Sequence, residues 1–309
     1  MKYIFVIVFI LFSSVLCSCK TIAENMDSCD RVSNVKLNFK YTGDTTDDLS
    51  WFNRVMDKVS LFVYDEYGFL VEKASRIFEG EEVNRAVNDG VNLDLCPGNY
   101  RVVCWSNMYE NSTITGISNF NSARFHHPNY GQNDIVLNTQ DPTYYGSLLL
   151  QVPEDRNVSD TVIFKGANIL IDVTVKEFVS GTRSKALPTV KIMNAMPEYG
   201  MDMSNAQEFD EDYIPLKSVD NGGDYIRATA RVFRFNDDNP IKIKVEGSDR
   251  VVTFANVTLS KLMNENSITV EGINEATIHI NLDFTDYYKD LNVKIGIEGW
   301  KNNVVSPDL

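Results

Sequence analysis

Three histidines, 43 carboxylates and five cysteines are the side chains of this 309-residue sequence best suited to acid–base, thiol or metal chemistry. His126 and His127 are adjacent, ahead of Pro128. Neighbouring side chains of an extended chain point to opposite faces, so the two make a poor joint metal site. His279 stands in the alternating run Thr277-Ile278-His279-Ile280-Asn281-Leu282 and reads as a surface or satisfied core residue. Carboxylates adjoin at Asp47-Asp48, Asp210-Glu211-Asp212 and Asp237-Asp238, but such an excess of acid makes adjacency inevitable, and none has calcium-loop spacing. No Gly-rich phosphate loop, nucleophile elbow or His-Glu-x-x-His is present. A glycosidase needs no local signature for its two carboxylates, and nothing else supports one. The expectation is no catalytic residue, no metal and no cofactor.

Two of the cysteines lie in a segment with a different chemistry. Met1-Lys2 leads into an apolar run from Tyr3 to Phe12, then Ser13-Ser14-Val15-Leu16-Cys17-Ser18-Cys19. One positive charge, a hydrophobic run too short to span a bilayer and small residues before a cysteine mark an export signal. Leu16, Ser18 and Cys19 have the spacing of a bacterial lipoprotein signal, with cleavage between Ser18 and Cys19 and lipid on Cys19. Cleavage before Cys17 would put bulky Leu16 where a small residue is required. Each buried methylene contributes about 0.8 kcal/mol, so several acyl chains would hold the protein on the membrane without help from its surface charge. Ordinary secretion without lipid is the alternative.

That surface charge is negative. Removing residues 1–18 takes away only Lys2 and leaves 28 basic against 43 acidic residues, a formal charge of minus 15. Nucleic acid and anionic lipid would be repelled, so membrane association has to be covalent. The chain is long enough for two domains, with 43% apolar and 11% aromatic residues to fill two cores. Cys29, Cys96 and Cys104 remain beyond the lipid site. In an oxidising compartment they predict one disulfide and one spare thiol. Cys29 with Cys104 would staple the first strand to a central one, closing a loop of about 75 residues and contributing roughly 4 kcal/mol; Cys96 in place of Cys104 is the alternative.

From Val32 onward, short alternating runs rich in Val, Ile, Phe and Tyr are separated by Gly, Asn, Asp and Pro, an all-β pattern. Val35 to Tyr41 alternates throughout. Val59 to Tyr64 and Phe69 to Val71 flank the turn Asp65-Glu66-Tyr67-Gly68 and predict a hairpin. Further strands are predicted at Val91–Leu95, Tyr100–Trp105, Ile135–Leu137, Ser147–Val152, Thr161–Phe164, Ala167–Val175, Thr189–Met193, Arg227–Phe233, Ile241–Val245, Val251–Phe254, Ser267–Val270, Thr277–Leu282 and Leu291–Ile297. Trp51 to Lys58 is the only early stretch with helical spacing and predicts one or two turns, and no helix of convincing length is expected. The proline-led, charged stretch Pro153-Glu154-Asp155-Arg156-Asn157 reads as an interdomain linker. The expected organisation is therefore a signal peptide (1–18), a tether (19–28) and two β-sandwiches, 29–152 and 153–309. Ser106 to Asp134 is predicted as a long polar loop, whose Tyr109, Phe120, Phe125 and Tyr130, with Tyr144-Tyr145, would either stack on sugars or cover the end of a core.

The runs Val59 to Gly68 and Leu93-Asp94-Leu95-Cys96-Pro97-Gly98-Asn99-Tyr100-Arg101-Val102-Val103-Cys104-Trp105, with the lipobox, Cys29-Asp30 and Gly299-Trp300 near the end, resemble the fimbrial anchor lipoproteins of Bacteroidales, the anchoring subunits of type V pili. The resemblance implies two tandem transthyretin-like Greek-key sandwiches, three acyl chains on an outer-membrane lipoprotein, and a partner, the fimbrial shaft subunit or pilin. It implies a role in holding the base of a fimbria and limiting its length by β-strand complementation. In that family shaft subunits lose an N-terminal strand to an arginine-specific protease, whereas the anchor keeps its own. Cleavage at Arg54 would instead make a shaft or tip subunit. Only Lys301 to Leu309 follow Trp300, so a donated C-terminal strand would have to include Leu291 to Ile297 or consist of Asn302 to Leu309. A glycan-binding lipoprotein of a polysaccharide-uptake system is the rival expectation.

Overall fold

The computed structural model describes residues 34–41, 55–131, 139–176, 188–204, 213–216, 219–220, 225–247, 253–285 and 290–299. The first half contains β1 (Val35–Tyr41), β2 (Lys58–Tyr64), β3 (Arg76–Glu79), α1 (Glu81–Asp89), β4 (Val91–Leu93), β5 (Gly98–Ser106), β6 (Thr113–Thr115), β7 (Arg124–His126), β8 (Tyr144–Val152) and β9 (Val158–Gly166). The second contains β10 (Asn168–Lys176), β11 (Thr189–Met193), β12 (Glu198–Gly200), β13 (Tyr213–Leu216), β14 (Val219–Asp220), β15 (Tyr225–Phe233), β16 (Lys242–Glu246), β17 (Thr253–Thr258), α2 (Leu259–Glu265), β18 (Ala276–Thr285) and β19 (Asp290–Gly299). The chain is all-β, as its alternation predicts.

Seven strands of the first half form one sheet in the order β3-β2-β5-β8-β9-β1-β4. Every strand turns one face to a common core, with Val35, Leu37, Phe39 and Tyr41 inward on β1 and Val59, Leu61 and Val63 inward on β2. Phe39 and Phe78 lie five strands apart in the sheet, yet their rings meet edge-on with centroids 6.3 Å apart. The sheet therefore folds back on itself around its own apolar face. β1 is interior, paired parallel to β9 from Val35↔Val158 to Tyr41↔Phe164 and antiparallel to β4 from Val35↔Leu93 to Leu37↔Val91. In the second half two sheets, β14-β15-β10-β18-β19 and β13-β11-β16-β17, share one apolar cluster between their faces. β10 supplies Ile169, Ile171, Val173 and Val175 to it, and the facing sheet supplies Val190, Ile192, Ile243 and Val245.

Several sequence expectations are corrected. The stretch Pro153 to Asn157 is a hairpin loop, not a linker: β8 and β9 on either side of it pair antiparallel within the first sheet, and β9 also pairs with β1. The chain passes to the second set of sheets at Ala167, between β9 and β10. Proline and charge mark a reversal equally well whether or not the sheet changes there. The hairpin expected from Phe69 to Val71 is limited to the bridge Tyr64↔Leu70, since β3 takes the same edge of β2 from Lys58 to Leu61, and Phe69 bridges instead to Asn119. The strand expected at Ser267–Val270 is irregular and follows α2, which buries Leu259, Leu262 and Met263 at helical spacing. Ile135 to Leu137 and the first half of the Trp51–Lys58 stretch, Trp51 to Arg54, lie outside the described residues.

Helix α1 was not predicted. It is only 9 residues long, places Glu81 and Glu82 where the helix dipole favours acid, and buries Val83, Ala86 and Val87. It ends at Gly90, whose φ is +77° and whose N–H reaches Ala86 O at 3.1 Å. A Cβ there would stand 3.0 Å from the Leu37 carbonyl oxygen of β1. Gly90→Ala is therefore expected to destabilise by about 1–3 kcal/mol, read as a lower urea midpoint at unchanged slope.

Candidate functional site

The two halves are joined by a third apolar cluster built from both. Tyr64, Val103, Trp105, Ala123, Phe125 and Tyr145 come from the first half, and Ala167, Met196, Tyr199, Met201 and Phe233 from the second. Trp105 stacks on Phe125 with centroids 4.0 Å apart and planes at 9°, Phe125 contacts Phe233 at 5.3 Å, and Phe233 contacts Tyr199 at 4.8 Å. The backbone repeats the connection. β12 pairs with β7 through Glu198↔His126, Tyr199↔Phe125 and Gly200↔Arg124, and β7 pairs with β6. The Gln140 N–H also donates to Arg231 O at 3.0 Å. The segment predicted as a polar loop is thus partly a strand in a sheet shared by the halves.

A surface for another chain follows from the sheet edges. Among the described residues, β3, β4, β13, β14 and β17 are edge strands of four, three, four, two and six residues, whereas β19 runs for 10. β18 pairs with β19 along its whole length, from Ala276↔Gly299 to Thr285↔Asp290. No described strand pairs with the outer edge of β19. At about 3.4 Å per residue this edge offers roughly 30 Å of backbone donors and acceptors. Val293, Ile295 and Ile297 pack toward the core, and Lys294 is exposed.

Ser18, Cys19 and Cys29 lie outside the described residues, as do Arg54 and the residues from Trp300 onward. Cys104 carries a free thiol, fully buried in β5, and burial pushes its pKa well up, away from a reactive thiolate. Cys96 lies half-buried just past β4, and its carbonyl accepts the Tyr100 hydroxyl at 3.0 Å. His126 donates from Nδ1 to the His127 carbonyl at 2.8 Å, and His127 is buried, its Nδ1 accepting the Asn129 N–H at 3.1 Å. Burial, and secondarily the neighbouring His126, lowers the His127 pKa against the pull of Asp141. Asp237 and Asp238 sit in a turn where Asp237 Oδ1 accepts the Val270 N–H at 2.8 Å. Among the described residues no three His, Cys, Asp or Glu side chains converge as a metal site.

His279 has a more defined place than the sequence assigns it. On the outer face of the β15-β10-β18 sheet, the carboxylate of buried Asp172 accepts both Arg227 Nε at 2.8 Å and Nη2 at 2.7 Å, and lies 3.0 Å from His279 Nδ1. Burial alone would raise the Asp172 pKa, but the Arg227 hydrogen bonds and charge, followed by His279, outweigh it and hold the carboxyl below its usual range. A carboxylate with a depressed folded pKa stabilises above its unfolded pKa of about 3.9 and loses that contribution as pH falls through the folded value. Arg227 is half exposed and water screens the pair, so Asp172→Asn is expected to cost only about 1 kcal/mol at pH 7. Its urea midpoint should fall less steeply than the wild type's below about pH 4.

The aromatics singled out in the sequence divide. Phe125 and Tyr145 are core residues of the seam, Phe120 lies under the Arg101 guanidinium at 4.2 Å, and Tyr109 donates its hydroxyl to Asp57. Among the described residues the most exposed aromatics are Tyr67 and Phe69, which the sequence reading placed in a turn and a strand and not among the candidate contact residues.

The family defined as the fimbrillin-A associated anchor proteins Mfa1 and Mfa2 matches residues 26–306, and the chain belongs to it. No curated protein sequence matches. Among solved structures, the chain is similar to a candidate polysaccharide-binding protein of Bacteroides thetaiotaomicron, with TM-score 0.67 and 16% identity over 86% of this chain and 96% of that one. It is similar to the fimbrial anchor protein Mfa2 of Porphyromonas gingivalis, with TM-score 0.64 and 14% identity over 87% and 98%. A candidate adhesin of Bacteroides thetaiotaomicron matches with TM-score 0.60 and 18% identity over 85% and 95%.

Proposed function

We propose that this protein is an outer-membrane lipoprotein, tethered through Cys19 and exposed at the cell surface, that anchors the base of a fimbria and limits its length. The observation that carries the reading is the position of β1, locked between β9 and β4 with its apolar face in the core. A subunit that keeps this strand offers no groove in its first half for an incoming strand, so growth stops at it. Contact with the shaft subunit is made instead by strand addition along the open outer edge of β19. Donation of Leu291 to Ile297 itself is disfavoured, because it would strip β19 from most of its pairs with β18 and open the second core. Membership of the anchor family and the fold likeness to a fimbrial anchor protein support this reading. The test places a photo-crosslinking amino acid at Lys294 and illuminates intact fimbriated cells. A covalent adduct with a fimbrial shaft subunit is expected; adducts only with other proteins, or none, would refute contact along this edge.

A further inference from the structure

The turn after β2, beside the cluster shared by the halves, carries aromatic side chains that neither the cores nor the open edge uses. Tyr67 is 68% exposed and Phe69 58%, and neither contacts another ring. The turn that presents them is fixed. Asp65 Oδ1 accepts the N–H of Tyr67 at 2.9 Å and of Phe69 at 2.8 Å, and Gly68, at φ +84°, closes the turn. A second loop braces it through Phe120 N–H to Gly68 O at 2.8 Å and Leu70 N–H to Ser118 O at 3.1 Å. Large apolar rings held in water by a fixed backbone mark a contact surface.

Size, charge and neighbouring donors narrow its occupant. Two aromatic side chains present at most about 150–250 Å² each, well short of the roughly 800 Å² per partner that a stable protein–protein interface buries. Asp65 and Glu66 border the rings, which disfavours an anionic surface and makes entry into hydrocarbon costly. The Asn121 amide lies beside the turn, where a side chain at Gly68 would meet its Nδ2 at 3.9 Å. Exposed aromatic rings bordered by a carboxylate and an amide complement a sugar ring, whose C–H face is apolar and whose hydroxyls both donate and accept.

We propose that Tyr67 and Phe69, with Glu66 and Asn121 at their rim, form a platform that binds one or two sugar rings of an extended neutral glycan. An open platform suits a polymer lying across it better than a small molecule, which needs enclosure. The test applies the purified full chain to an array of neutral plant, bacterial and host glycans. Binding to a subset is expected, reduced about tenfold or more in the Tyr67→Ala/Phe69→Ala double variant and retained in Leu149→Ala, which removes an equally exposed apolar side chain from a sheet face. Both rings stand in water, so the double variant should keep the wild-type urea midpoint, and its cross-link at Lys294 should persist whether or not glycan binding is lost. A silent array, equal binding by the double variant, or equal loss in Leu149→Ala would each overturn the platform.

Discussion

Trp105→Ala is expected to lower the unfolding free energy by about 3–5 kcal/mol, a large share of the stability of a typical domain. The ring is fully buried, stacked on Phe125 and tilted against Tyr145 at 5.0 Å, in the cluster that both halves share. Its loss leaves a cavity bordered by Phe125, the first link of the ring series that reaches Phe233 and Tyr199. Urea unfolding followed by far-ultraviolet circular dichroism should therefore show a lower midpoint and a transition that separates into two, one for each half. Trp105→Phe is the informative control. The indole N–H is buried without a partner, so phenylalanine keeps most of the stack and removes an unsatisfied donor. It should lose less than about 1.5 kcal/mol. Equal losses in both variants would show that the seam is not held by ring packing.

Cys19→Ala is expected to move the protein from the membrane fraction to the soluble fraction almost completely. Cleavage before Cys19 would leave a formal charge of minus 15, which opposes electrostatic attraction to an anionic membrane, and no helix among the described residues is long and apolar enough to cross one. Lipid on Cys19 is then the sole proposed tether, and several acyl chains hold far more strongly than one. Fractionation and intact-mass analysis of the mature N-terminus read the result together: the wild type should begin at Cys19 with added acyl mass. Cys17→Ala should leave both unchanged, since Leu16 is unsuited to the position before a cleavage site. A membrane-bound Cys19→Ala protein would remove the lipid from the account.

The strands were legible wherever one face is buried and the other wet. β1 alternates buried and less buried residues along its length, and its bounds agree with the alternation in the sequence. β11, Thr189–Met193, has the bounds read from the sequence although Lys191, on the face opposite Val190 and Ile192, is buried too. Alternation carries no information about partners, so the parallel pairing of β1 with β9 and the true crossing point at Ala167 could not be read. The two described α-helices escaped because each is short and is fixed by tertiary contacts rather than by propensity. Phe125 shows the same limit at the seam: its neighbours His126, His127 and Pro128 look like a loop, and the strand there is made by pairing with β6 and with β12, the latter more than 70 residues further on. A shared core is a long-range property, and a local pattern does not record it. Tyr67 and Phe69 were overlooked for the opposite reason, since aromatic residues beside strands are expected inside.

Purification of the native protein from the outer membrane, with its neighbours identified by mass spectrometry, tests the anchor reading most directly. Recovery of a fimbrial shaft subunit with an acylated Cys19 terminus is the predicted result. Recovery of polysaccharide-uptake components without any shaft subunit would contradict it.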